Sequence, residues 1–108
     1  MVLVQLEIEN EMLRAAKVDA NQSEIIAALR KAGAVVVITS QLKNAFDCLV
    51  CFRGQINIVE IKDGNKPPSA RKLSEGETKC KELLESVGVA YNVIISVDEA
   101  LQLIGAKQ

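Results

Sequence analysis

The stretch AFDCLVCFRGQINIVEIKDG, residues 45–64, contains two aliphatic runs separated by Arg53 and Gly54. Runs rich in Val and Ile on either side of such a pair predict a β-hairpin with a two-residue turn. Extending this register places Asp47 directly opposite Glu60. A four-residue loop keeps the same pairing, whereas a three-residue loop makes the two carboxylates diagonal neighbours, roughly 7 to 8 Å apart. In each case the carboxylates lie near one another.

Three charged side chains therefore meet at the end of the predicted hairpin away from its turn. Because side chains alternate along a strand, Lys62 lies on the same face as Glu60. Two opposed, half-buried carboxylates repel each other and need a cation. Mg²⁺ suits Asp47, Glu60 and the backbone carbonyl of Ile61, because it prefers oxygen ligands and retains water. A lysine beside such a site orients water, or accepts its proton if the lysine pKa is depressed, which favours phosphodiester hydrolysis.

The same residues are also compatible with a purely structural role. Asp47 can simply begin a strand, and Glu60 with Lys62 can line a solvent-facing edge, where charged residues are common. Cys48 and Cys51 are predicted core residues. They point to opposite faces of a strand, which argues against a disulfide or a paired metal site.

The rest of the chain reads as an α/β domain. Asn21 and Glu24, Ser74 and Glu77, and Ser96 and Glu99 are capping-box pairs that open three predicted helices, which end at Gly33, Gly88 and Gly105. Strands are predicted over 34–39, 46–52, 55–62 and 90–96. A crossover helix makes the last strand parallel to strand 55–62. The predicted order is α-β-β-β-α-β-α around a central mixed sheet flanked by helices.

Length and composition limit the possible functions. The chain has 108 residues, which corresponds to one domain, and its net charge of -1 indicates no global attraction to nucleic acid or membrane. It contains no histidine, so imidazole catalysis and histidine metal ligation are excluded. Three cysteines, no long apolar run and no signal-like N-terminus favour a soluble protein of the cytoplasm without a membrane partner.

The N-terminal segment is ambiguous. Residues 1–17 combine a strand-like alternation of aliphatic residues with a helix-like segment, so we treat them as an arm that forms an edge strand or a dimer contact. We assign residues 18–108 to the catalytic domain.

A local basic patch follows the predicted hairpin. Residues 62–81 contain six basic and three acidic residues, an excess of three positive charges beside the predicted site. Such a patch can hold phosphates, whereas an aromatic content of 3% leaves little capacity for base stacking. The predicted nucleic-acid contacts are Lys66, Arg71, Lys72 and Lys79.

Asp47, the hairpin and the triplet Glu60-Ile61-Lys62 resemble the PD-(D/E)XK nuclease superfamily. The segments VDANQSEIIAALRKAGAVVV, FDCLVCFRGQINIVEIKDGNKPPSARKLSEGE and VDEALQLI are similar to small phage and bacterial domains of the VRR-NUC group, over residues 18–104. An acid-x-lysine triplet alone is weakly specific. Its position on a hairpin, after a helix with Glu24 and before the KPPSARKLS loop, is more specific.

The resemblance implies a restriction-endonuclease-like core and a metal-dependent DNA endonuclease that uses Mg²⁺ or Mn²⁺ and no organic cofactor. It implies that Asp47 and Glu60 hold the metal, that Lys62 assists the attacking water and that Glu24 completes the site. Kinship with Holliday-junction resolvases implies a homodimer acting on branched, four-way or flap DNA. Glu77 stands where glutamine is expected in many relatives, which leaves its role open between DNA contact and metal tuning. A non-cleaving nucleic-acid-binding module and a structural partner subunit are the alternative functions.

Overall fold

A computed structural model describes residues 20–106, which form three α-helices and four β-strands. In chain order these are α1 (Gln22–Lys31), β1 (Val35–Ile38), β2 (Cys48–Phe52), β3 (Gln55–Ile61), α2 (Glu75–Glu85), β4 (Tyr91–Ile94) and α3 (Val97–Leu103). A short 3-10 turn, Pro68–Ala70, lies in the loop between β3 and α2. The predicted order of elements is confirmed, whereas the predicted arm, residues 1–17, lies outside the described residues.

The strands form one mixed sheet in the order β1-β2-β3-β4. The first two pairings are antiparallel and the pairing of β3 with β4 is parallel, as predicted. Phe52 pairs with Gln55, which leaves Arg53 and Gly54 as a two-residue turn. Both turn residues have positive φ, 49° and 79°, as a type I′ hairpin turn requires. The predicted hairpin register is therefore confirmed.

The two faces of the sheet are covered differently. Alternate residues of β2 and β3, among them Val50 and Val59, are fully buried against α1 and α3. Burying each such aliphatic side chain contributes about 1.5–3 kcal/mol to folding. Glu60 lies between the buried Val59 and Ile61, so it faces the opposite side of the sheet. On that side the neighbouring helix is α2, which has no fully buried residue.

Two of the three predicted helix caps are confirmed. Ser74 and Glu77 form a reciprocal capping box at α2, and the Ser96 hydroxyl accepts a hydrogen bond from the Glu99 N–H at α3. The predicted cap at Asn21 is wrong, because its side chain accepts no capping hydrogen bond. Its amide instead donates to the carbonyls of Lys62 and Ile95, at 3.1 and 3.3 Å. A tertiary contact has replaced the local one.

The structure confirms Cys48 as a core residue, whereas Cys51, also predicted to lie in the core, is only partly buried. Cys48, Cys51 and Cys80 are free thiols, and Cys48 lies in the core. Burial, together with the neighbouring Asp47 and Glu60 charges, raises the pKa of the Cys48 thiol to about 12, so it is not a nucleophile at neutral pH. Within residues 20–106, no helix combines the length and the apolar character needed to cross a bilayer.

Candidate active site

Asp47 and Glu60 line the same open cavity, of about 470 Å³, at the end of the hairpin away from its turn. Its wall is completed by Lys62 from the end of β3, Glu77 from α2 and the loop between β1 and β2. The convergence that the hairpin register predicts is therefore present. The cavity is open enough to admit solvent, so the charged groups face an accessible space and not a sealed core.

The backbone holds Asp47 in place. Its N–H donates to the carbonyl of Val59 at 3.0 Å, which ties Asp47 to β3 just before β2 begins. Its carbonyl accepts a hydrogen bond of 2.7 Å from the N–H of Thr39, after the end of β1. Its carboxylate oxygen Oδ2 accepts a hydrogen bond of 2.7 Å from the N–H of Ile61. Asp47 is thus anchored to the strands on both sides before any ligand is present.

Glu60 is a buried carboxyl group in a polar cluster. Only 4% of its surface is exposed. Burial, the charge of Asp47 and a hydrogen bond with Glu77 raise the pKa of Glu60 to about 9, against the lowering effect of Lys62. Such a group is protonated at neutral pH and ionises readily when a cation approaches.

Lys62 lies between two carboxyl groups. Its Nζ is 3.3 Å from Oε2 of Glu60 and 3.0 Å from Oε1 of Glu77. Burial lowers the pKa of this lysine, but the hydrogen bonds and charges of Glu77 and Glu60 outweigh that effect and raise it. Lys62 is therefore an ammonium ion. The sequence left open whether it orients water or accepts its proton, and this arrangement favours the first.

The donor set fits a hard divalent cation. Asp47 and the buried Glu60 both line a solvent-accessible cavity, and each offers carboxyl oxygens, the ligand type that a hard divalent cation prefers. The N–H of Ile61 points from β3 towards Asp47. Because the N–H and the carbonyl of a strand residue point to the same side, the carbonyl of Ile61 also lies on the edge of β3 that faces Asp47. Among residues 20–106, no group of three or more His, Cys, Asp or Glu side chains has metal-binding geometry. Two carboxylates are nevertheless sufficient for Mg²⁺, which retains several waters.

Glu24, the fourth predicted catalytic residue, lies elsewhere. It is exposed on the first turn of α1 and lines a second pocket with Asp63 and Asp98. The residues that line this pocket do not include Asp47, Glu60 or Lys62. The structure thus does not bring Glu24 into the cavity, and its catalytic role stays a prediction of the resemblance.

Of the four predicted basic residues, only Lys66 lines the cavity. Its side chain is exposed. Lys72 is exposed and Arg71 is half-buried in the loop before α2. Lys79 forms an exposed ion pair of 3.5 Å with Glu75 and lines a different pocket beside α2.

Sequence reasoning missed three residues that shape the cavity. Lys43 lines it from the loop between β1 and β2. The Tyr91 hydroxyl donates to the carbonyl of Ala45 at 2.6 Å and so ties that loop to β4. Asn21 holds the carbonyl of Lys62, as described above. Only Lys43 carried a signal, as a basic residue in the loop leading to Asp47, whereas the other two contacts connect residues more than 40 positions apart.

Comparison with known proteins identifies the architecture. No protein-family model matches the chain, and no curated protein matches it. A solved structure described as "VRR_NUC domain" matches with a TM-score of 0.57 and 21% sequence identity, over 83% of this chain and 100% of the other. The four-stranded mixed sheet and its flanking helices are thus the restriction-endonuclease-like arrangement that the sequence predicts. The chain has the fold of a VRR_NUC domain.

Proposed function

We propose that this chain is a metal-dependent DNA endonuclease that hydrolyses phosphodiester bonds. One observation carries the proposal: the carboxylates of Asp47 and Glu60 line one open cavity, with the ammonium group of Lys62 beside Glu60 at 3.3 Å. The resemblance to PD-(D/E)XK nucleases predicts the same three residues. The solved structure that shares the fold is a VRR_NUC domain, which supports a nuclease over an unrelated hydrolase.

Asp47 and Glu60, with the carbonyl of Ile61, would hold Mg²⁺ or Mn²⁺. When bound, the cation would supply positive charge beside the scissile phosphate and acidify a water molecule. Asp47 is positioned in advance by the N–H of Ile61, at 2.7 Å. Glu60 would hold a cation in its ionised form, which a nearby positive charge favours.

Lys62 acts as a fixed cation in this scheme. Its pKa is raised, so the ammonium group donates hydrogen bonds and does not accept a proton. From its position beside Glu60 it orients the attacking water and stabilises negative charge that develops on the phosphate oxygens. The chain contains no histidine to serve as general base. Because Lys62 is already protonated, the proton of the attacking water passes to solvent or to the substrate phosphate in this proposal.

The basic side chains at the rim bind the DNA backbone. Lys43 and Lys66 line the same cavity as the carboxylates, where they can contact phosphates near the scissile bond. Lys72 and Arg71 extend the positive surface along the loop before α2. With little aromatic surface, the protein reads backbone and shape more than base identity.

The proposed DNA structure and the proposed oligomeric state both rest on the sequence resemblance. We propose branched DNA, four-way or flap-like, cut by a homodimer whose two sites act on paired strands. Sedimentation equilibrium of the free protein measures the oligomeric state. A monomer that cleaves branched DNA would contradict the dimer without affecting the hydrolytic chemistry.

The deciding experiment is a cleavage assay with EDTA, Mg²⁺ or Mn²⁺ on four substrates: a four-way junction, a flap, a linear duplex and a closed circular plasmid. We expect metal-dependent cleavage of the junction and conversion of the plasmid to nicked or linear forms, since an endonuclease needs no free end. Activity that is confined to linear ends would indicate an exonuclease.

The matched variants are Asp47→Ala, which removes one carboxylate, and Lys31→Ala, which removes an exposed charge from the last turn of α1. Asp47→Ala should bind the junction without cleaving it, and Lys31→Ala should behave as the wild type. Binding by the wild type with no cleavage in either metal would support the non-cleaving module. Neither binding nor cleavage of any DNA would contradict the proposal and favour a structural subunit.

A further inference from the structure

We propose, resting on the function above, that Glu77 is a positioning residue of the active site. Its carboxylate holds the Lys62 ammonium beside Glu60 and keeps it there when Glu60 engages a cation. The same carboxylate oxygen caps helix α2. The position of the lysine and the position of the helix N-terminus thus depend on one atom.

Glu77 is fixed independently of Lys62. Its Oε1 accepts a hydrogen bond of 2.8 Å from the N–H of Ser74, and its own N–H donates to the Ser74 hydroxyl at 3.1 Å. This reciprocal pair is a capping box, which holds the glutamate side chain against the helix end. The carboxylate therefore offers a preset acceptor to any donor that approaches from the cavity.

Lys62 donates to the acceptor that Glu77 offers. Its Nζ donates to the same Oε1 at 3.0 Å, closer than its 3.3 Å approach to Glu60. The side chains of Lys62 and Glu77 are 15% and 18% exposed, so water screens the pair only partly. Of the two carboxylates beside the lysine, Glu77 is thus the one with the shorter contact.

The Lys62 ammonium group and a metal cation would compete for the carboxylate of Glu60. Without Glu77, the ammonium group would pair with Glu60 alone and would oppose any cation that needs the same carboxylate. A cation at Asp47 and Glu60 also repels an ammonium group a few ångströms away. The negative charge of Glu77 offsets this repulsion and gives the lysine a second partner. Glu77 should therefore strengthen cation binding and keep Lys62 in reach of the substrate.

Helix capping alone does not explain the arrangement, and α3 supplies the comparison. Its cap residue Ser96 accepts from the N–H of Glu99 at 3.1 Å, as Ser74 does from Glu77. The Glu99 carboxylate accepts from the N–H of Ile95 at 2.9 Å, away from the cavity. The two glutamates thus occupy equivalent capping positions, and within the described residues the one at α2 faces the active-site lysine.

The experiment compares Glu77→Ala, Glu77→Gln and Glu99→Ala in the full chain. Three quantities are measured: thermal stability, Mg²⁺ affinity by calorimetry without DNA, and the kcat and KM for junction cleavage. We expect both alanine variants to lose similar stability. Glu77→Ala alone should weaken Mg²⁺ binding by about 10- to 100-fold. It should also lower kcat by about 100-fold with little change in KM, because the lysine is displaced.

Glu77→Gln separates charge from position. Its amide oxygen can still accept hydrogen bonds from Ser74 and Lys62, so we expect a loss in kcat of less than about tenfold. An independent readout is the rate at which Lys62 reacts with an amine-specific reagent, followed by mass spectrometry and compared with Lys31. Loss of Glu77 should accelerate labelling of Lys62, whereas Glu99→Ala should not.

Two outcomes would overturn the inference. Equal effects of Glu77→Ala and Glu99→Ala on Mg²⁺ affinity and on Lys62 labelling would reduce Glu77 to a helix cap. A kcat for Glu77→Gln as low as that for Glu77→Ala would show that Glu77 does not act by positioning Lys62. A wild-type protein that binds Mg²⁺ but cuts no DNA contradicts the proposed function separately, because the affinity and labelling measurements still test Glu77.

Discussion

The backbone N–H of Ile61 donates a hydrogen bond of 2.7 Å to Oδ2 of Asp47, across the two strands of the hairpin. Asp47 lies one residue before β2 begins, so its side chain takes the place that a backbone carbonyl would occupy in a longer ladder. One residue thus completes the sheet and presents a carboxylate to the cavity. Its two roles can be separated by substitution.

Asp47→Asn and Asp47→Ala should have equal effects on cleavage and unequal effects on stability. Asparagine retains an acceptor for the Ile61 N–H but loses the charge, whereas alanine loses both. We expect Asp47→Ala to lower the free energy of unfolding by about 1–2 kcal/mol and Asp47→Asn by less than half of that. Urea unfolding measures the difference. Similar stability of the two variants would show that the hydrogen bond to Ile61 contributes little.

Glu60 should make stability fall as pH rises. Its pKa is raised from 4.5 to about 9, so between these values the native state holds a proton that the unfolded chain has released. The stabilisation is complete below pH 4.5 and is lost as the pH approaches 9. The Glu60→Gln substitution removes this pH dependence. At pH 8.5 the free energy of unfolding of the variant should therefore exceed that of the wild type by about 1–3 kcal/mol.

Other groups act outside this window. Burial raises the pKa of Glu77, but its hydrogen bonds with Glu60, Ser74 and Lys62 outweigh this effect and lower it, so its stabilising contribution is present above pH 4.5 and is lost only as the pH falls below that value. The raised pKa of Cys48 matters only above pH 9. Thermal unfolding from pH 5 to 9, with and without Mg²⁺, measures the trend. A wild-type profile as flat as that of Glu60→Gln would contradict a buried, protonated Glu60.

Gly76 should be required by its contact with Asn44. A methyl group on Gly76 would overlap the Asn44 side chain, which belongs to the loop that walls the cavity. Asn44 has φ 60°, a left-handed conformation that glycine also adopts. We expect Gly76→Ala to cost about 1–3 kcal/mol in the wild type. In an Asn44→Gly background, the same change should stabilise by about 1 kcal/mol, because alanine is the better helix former.

A double-mutant cycle of the Gly76 and Asn44 variants measures this coupling by chemical unfolding. Additive effects of the two substitutions would show that the loop and the N-terminus of α2 do not constrain each other. Junction cleavage of Gly76→Ala should fall as well, since displacement of the loop moves Lys43 at the rim of the cavity.

Lys66 should contribute to DNA affinity through charge. It is exposed at the cavity rim, so Lys66→Ala should reduce the slope of log K against log salt by about 0.9, the value for one phosphate contact with duplex DNA. Lys31 provides the control because it lies near the turn end of the hairpin, away from the cavity. It is two residues before Gly33, which is close to the ring of Phe52 at that end. Fluorescence anisotropy at several salt concentrations measures both variants. Equal slopes for Lys66→Ala and Lys31→Ala would remove Lys66 from the DNA interface.

Glu24 should be less important for cleavage than Asp47, Glu60 or Lys62. It lines the second pocket and not the cavity. Glu24→Gln should therefore lower kcat by less than about tenfold, or 1.4 kcal/mol of transition-state stabilisation. A loss comparable to that of Asp47→Ala, with thermal stability unchanged, would instead place Glu24 in the catalytic site, as the resemblance predicts.

The hairpin could be predicted because its determinants are local. Arg53 and Gly54 set a two-residue turn, and strand periodicity then determined which residues face each other. The caps at Ser74 and Ser96 were predictable for the same reason, since each involves residues three apart in sequence. The predicted cap at Asn21 is wrong because its side chain can bond either to the end of its own helix or to distant backbone groups. Folding brings the carbonyls of Lys62 and Ile95 within reach, and the amide donates to these.

The candidate site was predictable in part. The approach of Asp47, Glu60 and Lys62 followed from the register of a single hairpin. The location of Glu24 could not be predicted from that register, because it depends on how α1 packs on the sheet. Lys43, Tyr91 and Glu77 reach the cavity or its wall from separate elements, and no pattern within one element encodes their distances.

By itself, the amino-acid sequence determined the order of elements, the hairpin register and the pair of carboxylates beside a lysine. These depend on turn geometry and on the alternation of side chains along a strand, which act over a few residues. Tertiary structure alone decided that Glu77 shares Lys62 with Glu60, that Asn21 holds the carbonyl of Lys62, and that Glu24 faces a different pocket. Such contacts form only when packing of the core brings helices against the sheet, and burial then sets the charge state of the groups involved.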